Sequence, residues 1–87
     1  MAGRQRRKER EDQYESPAYR RIQKRLANNL RRLRKEKGWT QEQAAQHCDM
    51  SPRLLQMVEG GDVNATLTTI ARLVQGFGVD IEELVAK

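Results

Sequence analysis

The stretch that decides the fold is Gly38–Gly61, with the sequence GWTQEQAAQHCDMSPRLLQMVEGG. Thr40 has a hydroxyl suited to capping a helix, and small or apolar residues follow it at helical spacing. Ser51 is a second N-cap candidate, and Pro52 suits the first position of a helix, where its missing N–H costs nothing. The glycine pair at positions 60 and 61 ends this second helix. The stretch therefore predicts two short helices joined by a tight turn, a unit that places its second helix in the major groove of DNA.

The residues before this stretch predict a longer helix from about Ala18 to Lys37. Its apolar stripe steps by four, four and three residues along the chain and consists of Ile22, Leu26, Leu30 and Leu33. Gly38 ends the helix and allows a sharp turn. Basic side chains occupy the other faces, where their length allows them to reach phosphates.

The residues after the stretch predict two more helices. Thr66 is expected to cap the first of them, with an apolar side of Leu67, Ile70, Ala71, Leu73 and Val74. Gly76 weakens that helix, by about 1 kcal/mol relative to alanine, so close packing is its expected advantage. Asp80 is expected to cap a short last helix whose apolar face is Ile81, Leu84 and Val85. With no strand pattern anywhere, the prediction is an all-α domain of five short helices at residues 18–87.

Residues 1–17, MAGRQRRKEREDQYESP, have no apolar periodicity and mix charges of both signs. They predict a flexible charged arm, helical in part from Arg6 to Tyr14. Three interpretations of the arm stay open. It reaches along the DNA backbone or into the minor groove, it docks on a partner chain, or it is simply solvated because its four carboxylates weaken binding to phosphate.

Composition excludes several classes of protein. The 87 residues suffice for one small domain, and 33% of them are charged. No apolar run approaches the roughly 20 residues that span a bilayer, and the charged N-terminus is not a secretory signal. A single cysteine forms no intramolecular disulfide, which fits a reducing compartment. We therefore expect a cytoplasmic protein that is not bound to a membrane.

The sequence offers no candidate residues for catalysis or for metal binding. The sequence offers no Ser/His/Asp arrangement, no phosphate-binding loop and no plausible carboxylate pair. His47 and Cys48 alone are too few ligands for zinc. Cys48 and Trp39 are expected in the core. We predict no enzymatic activity, no metal and no cofactor.

The net charge of +5 is distributed unevenly. Residues 1–20 carry +2, residues 21–37 carry +7, and residues 38–87 carry −4. The positive charge therefore lies in the arm and the first helix, and not in the two-helix stretch itself. Such a basic block favours a polyanion partner, most simply nucleic acid, over a merely solvated helix face.

Three segments together resemble the Cro/C1-type (XRE-like) helix–turn–helix family. They are LRRLRKEKGWTQ, the EGG at the end of the second helix of the motif, and TLTTIARLVQGFGVDIEEL, and the match covers roughly Leu26 to Val85. The resemblance implies a five-helix fold like that of the lambda repressor. It also implies binding to double-stranded DNA.

The resemblance also implies roles for individual residues. Expected base contacts are Arg53, Gln56, Pro52, Met57 and Gln41. Expected phosphate contacts are Thr40, Gln41, Arg31, Arg32, Arg34 and Asn64. Arg34 and Glu59 match an arginine–glutamate pair that ties the first helix to the end of the reading helix, and Ala45 matches a small residue that allows two helices to cross closely.

The reading positions depart from the family pattern. Pro52 has no donor, and Leu54 and Met57 are apolar, so only Arg53 and Gln56 are suited to hydrogen bonding with base edges. Leu54 or Met57 would pack on thymine methyl groups or would present an apolar surface to another protein. Asp49 stands where the family prefers glycine, and aspartate tolerates the left-handed backbone that such a turn needs.

Three functions follow. The first is a sequence-specific transcriptional regulator, expected to be a repressor, that binds a pseudo-palindromic operator as a homodimer. Its predicted dimer surface is Phe77, Ile81, Leu84 and Val85, although these residues would equally close the core of a single chain. The second is the antitoxin of a toxin–antitoxin pair, because GWTQ and NATLTT look like segments of that branch. The third is a protein-interaction module that kept the fold without reading bases.

Overall fold

The computed structural model describes residues 16–87, which form five helices and no strand. The helices are α1 (Pro17–Glu36), α2 (Gln41–His47), α3 (Pro52–Glu59), α4 (Leu67–Phe77) and α5 (Ile81–Val85). The predicted all-α, five-helix class is confirmed. Of the predicted arm, residues 1–17, Ser16 caps α1 and Pro17 begins it. The rest of the arm, including the helical segment predicted from Arg6 to Tyr14, lies outside the described residues.

Four of the five helices begin at a hydroxyl cap. The Ser51 hydroxyl accepts a hydrogen bond from the Leu54 N–H at 3.1 Å, and Pro52 follows as the first helical residue. Thr40 forms a full capping box with Gln43, in which each side chain bonds the other residue's backbone N–H. Asp80 occupies the N-cap position of α5, but its side chain makes no capping hydrogen bond.

The two turns that flank α2 each use a left-handed backbone. Gly38, with φ of 71°, separates α1 from α2. Asp49, with φ of 53°, turns the chain between α2 and α3, as expected for an aspartate in the place of glycine. The Arg72 guanidinium donates to the Asp49 carbonyl at 3.1 Å and so braces the turn from α4.

All five helices contribute to one apolar core. Its buried members are Leu26, Leu30, Leu33, Ala44, Ala45, Cys48, Leu55, Val58, Leu73, Phe77 and Leu84. Gly76 lets α4 approach the end of α2, since a Cβ there would lie 2.7 Å from both the Cys48 Cα and the His47 carbonyl oxygen. The close packing expected at Gly76 is therefore present.

Some apolar residues lie outside this core, contrary to the predicted stripes. Leu67 is 81% exposed at the first position of α4, and Ala71 is also exposed. Ile22 is 53% exposed, because the first turns of α1 extend beyond the buried part of the helix. The stripe on α1 is therefore buried only from Leu26 onward.

The last helix packs against α1. The buried Asn29 amide donates to the Leu84 carbonyl at 3.0 Å and to the Ala86 carbonyl at 2.8 Å, which satisfies the end of α5. Phe77 and Leu84 are 1% and 0% exposed. These two residues fill the core of the single chain and cannot form a dimer surface, which corrects their predicted place there. Ile81 remains 51% exposed.

Candidate nucleic-acid interface

The exposed face of α3 carries the side chains predicted to contact bases. Pro52, Arg53 and Gln56 are exposed, and Met57 is 37% exposed. The opposite face of the same helix buries Leu55 and Val58 in the core. Burial of one face fixes the helix, and the other face presents a guanidinium and an amide to solvent.

The end of α3 encloses a carboxylate. Glu59 is 2% exposed, and its Oε2 accepts from Arg34 Nε at 2.9 Å. Its Oε1 accepts from Gln41 Nε2 at 3.3 Å, and Arg34 Nη1 donates to the Trp39 carbonyl at 3.0 Å. The structure thus brings the expected arginine–glutamate pair together and adds an amide from α2. A buried charge needs such partners, because desolvation without them is costly.

The arginines predicted to contact phosphates already have partners within the chain. Arg34 belongs to the enclosed pair, and its side chain is 16% exposed. Arg31 Nη1 donates to the Glu59 carbonyl at 2.7 Å, and its Nη2 bonds the Asn28 amide oxygen. Arg32 pairs with Glu36 at 3.0 Å in an exposed i,i+4 contact. Arg31 and Arg34 therefore help to fasten α3 onto α1.

The remaining predicted phosphate contacts lie near the start of α2 and in the loop after α3. Thr40 is exposed but uses its hydroxyl to cap α2. Gln41 is partly buried against Glu59. Asn64 is exposed in the loop between α3 and α4, and Gln23 Nε2 holds the neighbouring Val63 carbonyl at 3.1 Å. The backbone that carries these three residues is thus held in place, by the cap at the start of α2 and by the hydrogen bond from Gln23 in the loop.

The comparison with protein families decides the class of this chain. A family model described as a helix-turn-helix domain matches residues 25–86. The chain belongs to the helix-turn-helix domain family. This agrees with the resemblance seen in the sequence and makes α2 and α3 the two helices of the motif.

Two known proteins are similar over most of this helix-turn-helix domain. An uncharacterized HTH-type transcriptional regulator, y4dJ, from Sinorhizobium fredii is 39% identical over 64 residues, covering 74% of this chain and 83% of that protein. A hypothetical transcription factor of Neisseria meningitidis serogroup B is 34% identical over 59 residues, or 68% of this chain and 56% of that protein.

Two solved structures share the fold. That of hypothetical transcription factor NHTF from Neisseria has a TM-score of 0.70 at 31% identity and covers 74% of each chain. An HTH_3 family transcriptional regulator from Vibrio cholerae also gives a TM-score of 0.70, at 26% identity. That match covers 75% of this chain and 36% of the Vibrio chain.

Sequence reasoning missed three residues that position this helix-turn-helix motif. Gln43 completes the capping box, Arg72 bonds the turn, and Asn29 joins α1 to α5. Asn29 carried a signal, since it lies three residues after Leu26 and four before Leu33, within the apolar stripe. A polar residue in that register indicates a buried hydrogen bond.

His47 and Cys48 fit a structural role at the end of α2. The His47 ring stacks on Trp39 at a centroid distance of 4.0 Å and an interplanar angle of 8°. Burial raises the pKa of the Cys48 thiol to about 11, because the thiolate would lose its hydration. The thiol therefore stays protonated and unreactive near neutral pH. Within residues 16–87, no helix has the length and apolar character needed to cross a membrane.

Proposed function

We propose that this protein is a sequence-specific transcriptional regulator, acting as a repressor, that inserts α3 into the major groove of DNA. The observation that carries the proposal is the exposed pair Arg53 and Gln56 on a helix whose other face and C-terminal end are fixed. An arginine suits guanine O6 and N7, and a glutamine suits adenine N6 and N7. The similar protein from Sinorhizobium fredii, described as an HTH-type transcriptional regulator, supports the same function.

The remaining side chains around this pair have defined parts in the proposal. Met57, which is partly exposed, packs on a thymine methyl group. Pro52 presents only its ring, so it restricts which base fits beside it. Thr40 and the partly buried Gln41 lie at the start of α2, Asn64 lies in the exposed loop after α3, and all three contact phosphates.

We further propose that two copies bind one pseudo-palindromic operator. A single reading helix covers few base pairs, so two-fold pairing sets half-sites about one DNA turn apart. An apolar groove of about 210 Å³ lies between α1, α4 and α5. Ile22 of α1 and Ile81 of α5 line it and are each about half exposed. The proposed dimer surface therefore consists of Ile81 and Val85, which were predicted for it, together with Ile22 of α1. A second copy of the chain covers this groove.

Selection of bound DNA from a random duplex pool tests the function and the symmetry together. The proposal expects recovery of an inverted repeat whose half-sites contain guanine and adenine at fixed positions. A recovered single half-site would contradict the homodimer. Absence of any bound duplex at low salt would contradict DNA binding and would favour a protein-interaction module.

The dimer surface is tested separately by substitution at two exposed apolar residues. Ile81→Lys places a charge in the apolar groove, and sedimentation should show conversion of the dimer to monomer. Leu67→Lys is the matched control, because Leu67 is 81% exposed and does not line the groove. A dimer that survives Ile81→Lys, or one that Leu67→Lys disrupts equally, would contradict this surface.

A further inference from the structure

A basic groove of about 300 Å³ lies between residues 20–31 of α1 and the turn that ends α3. Arg20, Lys24 and Arg31 line it, and they follow one another by four and seven residues, so they share one face of α1. Across from them is the backbone of Gly60 and Gly61. A Cβ on Gly61 would lie 4.0 Å from the Cβ of Ala27, which also lines the groove, so the lack of a side chain there helps to keep the groove open.

The cations of this groove retain capacity for an anion. The ion pairs within residues 16–87 are Arg32 with Glu36 and Arg34 with Glu59, so the three groove cations are in neither. Arg31 is oriented by the Glu59 carbonyl and the Asn28 amide, and these two contacts leave other N–H groups of its guanidinium unused. The groove therefore holds a preoriented arginine beside two exposed cations.

A carboxylate borders the same groove. The Asp62 Oδ2 would lie 2.8 Å from a Cβ placed on Gly60, and Gly60 lines the groove. Asp62 does not itself line the groove, whose charged lining residues are Arg20, Lys24 and Arg31, so the charge of the lining is positive. Asp62 must weaken the binding of any anion there, which provides a way to raise the affinity by substitution.

The position of the groove relative to α3 indicates which anion it accepts. Arg53, Gln56 and Gly60 are spaced by three and four residues and lie on the same side of α3. At 1.5 Å per residue, Gly60 is about 10 Å along the axis from Arg53. The major groove is about 12 Å wide and is bordered by phosphates on both sides. If Arg53 contacts base edges, the basic groove would lie near one of the two bordering strands.

We propose that this groove binds a phosphodiester of the DNA backbone, with Arg20 and Lys24 neutralising its charge and Arg31 donating a directed hydrogen bond. This inference rests on the proposed DNA-binding function. It keeps Arg31 as a phosphate contact, but it replaces Arg32 and Arg34, which are ion-paired, with Arg20 and Lys24, which were not among the predicted phosphate contacts. It also gives the Gly60–Gly61 turn a role, because the small residues there allow a DNA strand to approach the groove closely.

The test is anisotropy of a labelled random duplex across a salt series, using the full chain. Arg20→Gln with Lys24→Gln removes two groove charges. The matched control is Arg21→Gln with Arg25→Gln, which removes the same charge from another face of α1. The groove variant should bind roughly tenfold or more weakly at 0.1 M salt, with a salt slope lower by about 1 to 2. The control should stay close to the wild type, and unfolding in urea verifies that both variants are folded.

Each outcome of this experiment has a distinct meaning. If the wild type binds and the two double variants lose affinity equally, only net charge matters and the groove proposal is overturned. If the wild type binds and the groove variant matches it, the proposal is overturned while the DNA-binding function stands. If the wild type binds no duplex at low salt, both are overturned.

Two further measurements separate a DNA phosphate from a free anion. Asp62→Asn should raise duplex affinity severalfold, because it removes the carboxylate beside Gly60, and it should not do so in the groove variant. Amide resonances of Gly60 and Gly61 should shift on duplex addition and should not saturate with inorganic phosphate at matched ionic strength. Saturation by inorganic phosphate, with no duplex effect at these amides, would overturn the proposal in favour of a free-anion site.

Discussion

The two ends of α3 use their polar side chains in different ways. At the C-terminal end, Glu59 is enclosed by Arg34 and Gln41, and Arg31 bonds its backbone carbonyl. Closer to the N-terminal end, on the opposite face from the core, Arg53 and Gln56 are exposed, and the described residues form no side-chain hydrogen bond with either. Polar groups thus hold the helix at one end and remain available for recognition at the other.

This difference shows why counting charges is a poor guide to a binding surface. Residues 21–37 carry most of the positive charge of the chain, and three arginines there seemed suited to phosphate. Arg31 and Arg34 instead fasten α1 to α3, and Arg32 pairs with Glu36. Whether a cation is free therefore depends on its neighbours in the folded chain, both on the same helix and on other helices.

The largest effect on stability is expected at the enclosed end. Arg34→Ala would leave the Glu59 carboxylate buried with only an amide partner, so the free energy of unfolding should fall by about 3 kcal/mol. Urea unfolding followed by circular dichroism measures this loss. Replacing both members with apolar residues, as Arg34→Met with Glu59→Leu, should cost less than Arg34→Ala alone.

The matched control for that substitution is Arg32→Ala. Its pair with Glu36 is more than half exposed, so the expected loss is at most about 0.5 kcal/mol. Equal losses for Arg32→Ala and Arg34→Ala would contradict the view that enclosure makes the Arg34–Glu59 pair structural.

A smaller effect on stability is expected at Ser51, whose hydroxyl caps the N-terminal end of α3. Ser51→Ala removes the cap on the Leu54 N–H and should lower the free energy of unfolding by about 1 kcal/mol. Ser51→Asp restores an acceptor at the cap and should recover most of this loss in the same urea experiment. A loss with aspartate as large as that with alanine would show that Ser51 stabilises α3 in another way.

Local signals in the sequence were sufficient to predict the helices and the turns between them. Ser51 and Pro52 start α3, Thr40 starts α2, and Asp49 adopts the left-handed turn, because each depends on residues only a few positions away. The all-α class and the helix-turn-helix motif followed from these signals and from apolar spacing.

Contacts between distant parts of the chain were not predictable in the same way. Leu84 is buried because α5 folds back on α1, where Asn29 bonds a carbonyl 55 residues later in the chain. Arg31 donates a hydrogen bond to the carbonyl of Glu59, 28 residues away, and is therefore not simply a solvated cation. Apolar spacing shows that a face is buried but does not show which chain buries it, so Phe77 and Leu84 were placed on a dimer surface.

The most direct test of the division between the two ends of α3 combines unfolding and binding of Arg53→Ala. Because Arg53 is exposed and has no partner among the described residues, stability should stay within about 0.5 kcal/mol of the wild type. Affinity for the selected operator should fall by about 1–3 kcal/mol, and affinity for random duplex should change little. Equal losses on operator and random duplex, or a loss of stability as large as that of Arg34→Ala, would contradict the account.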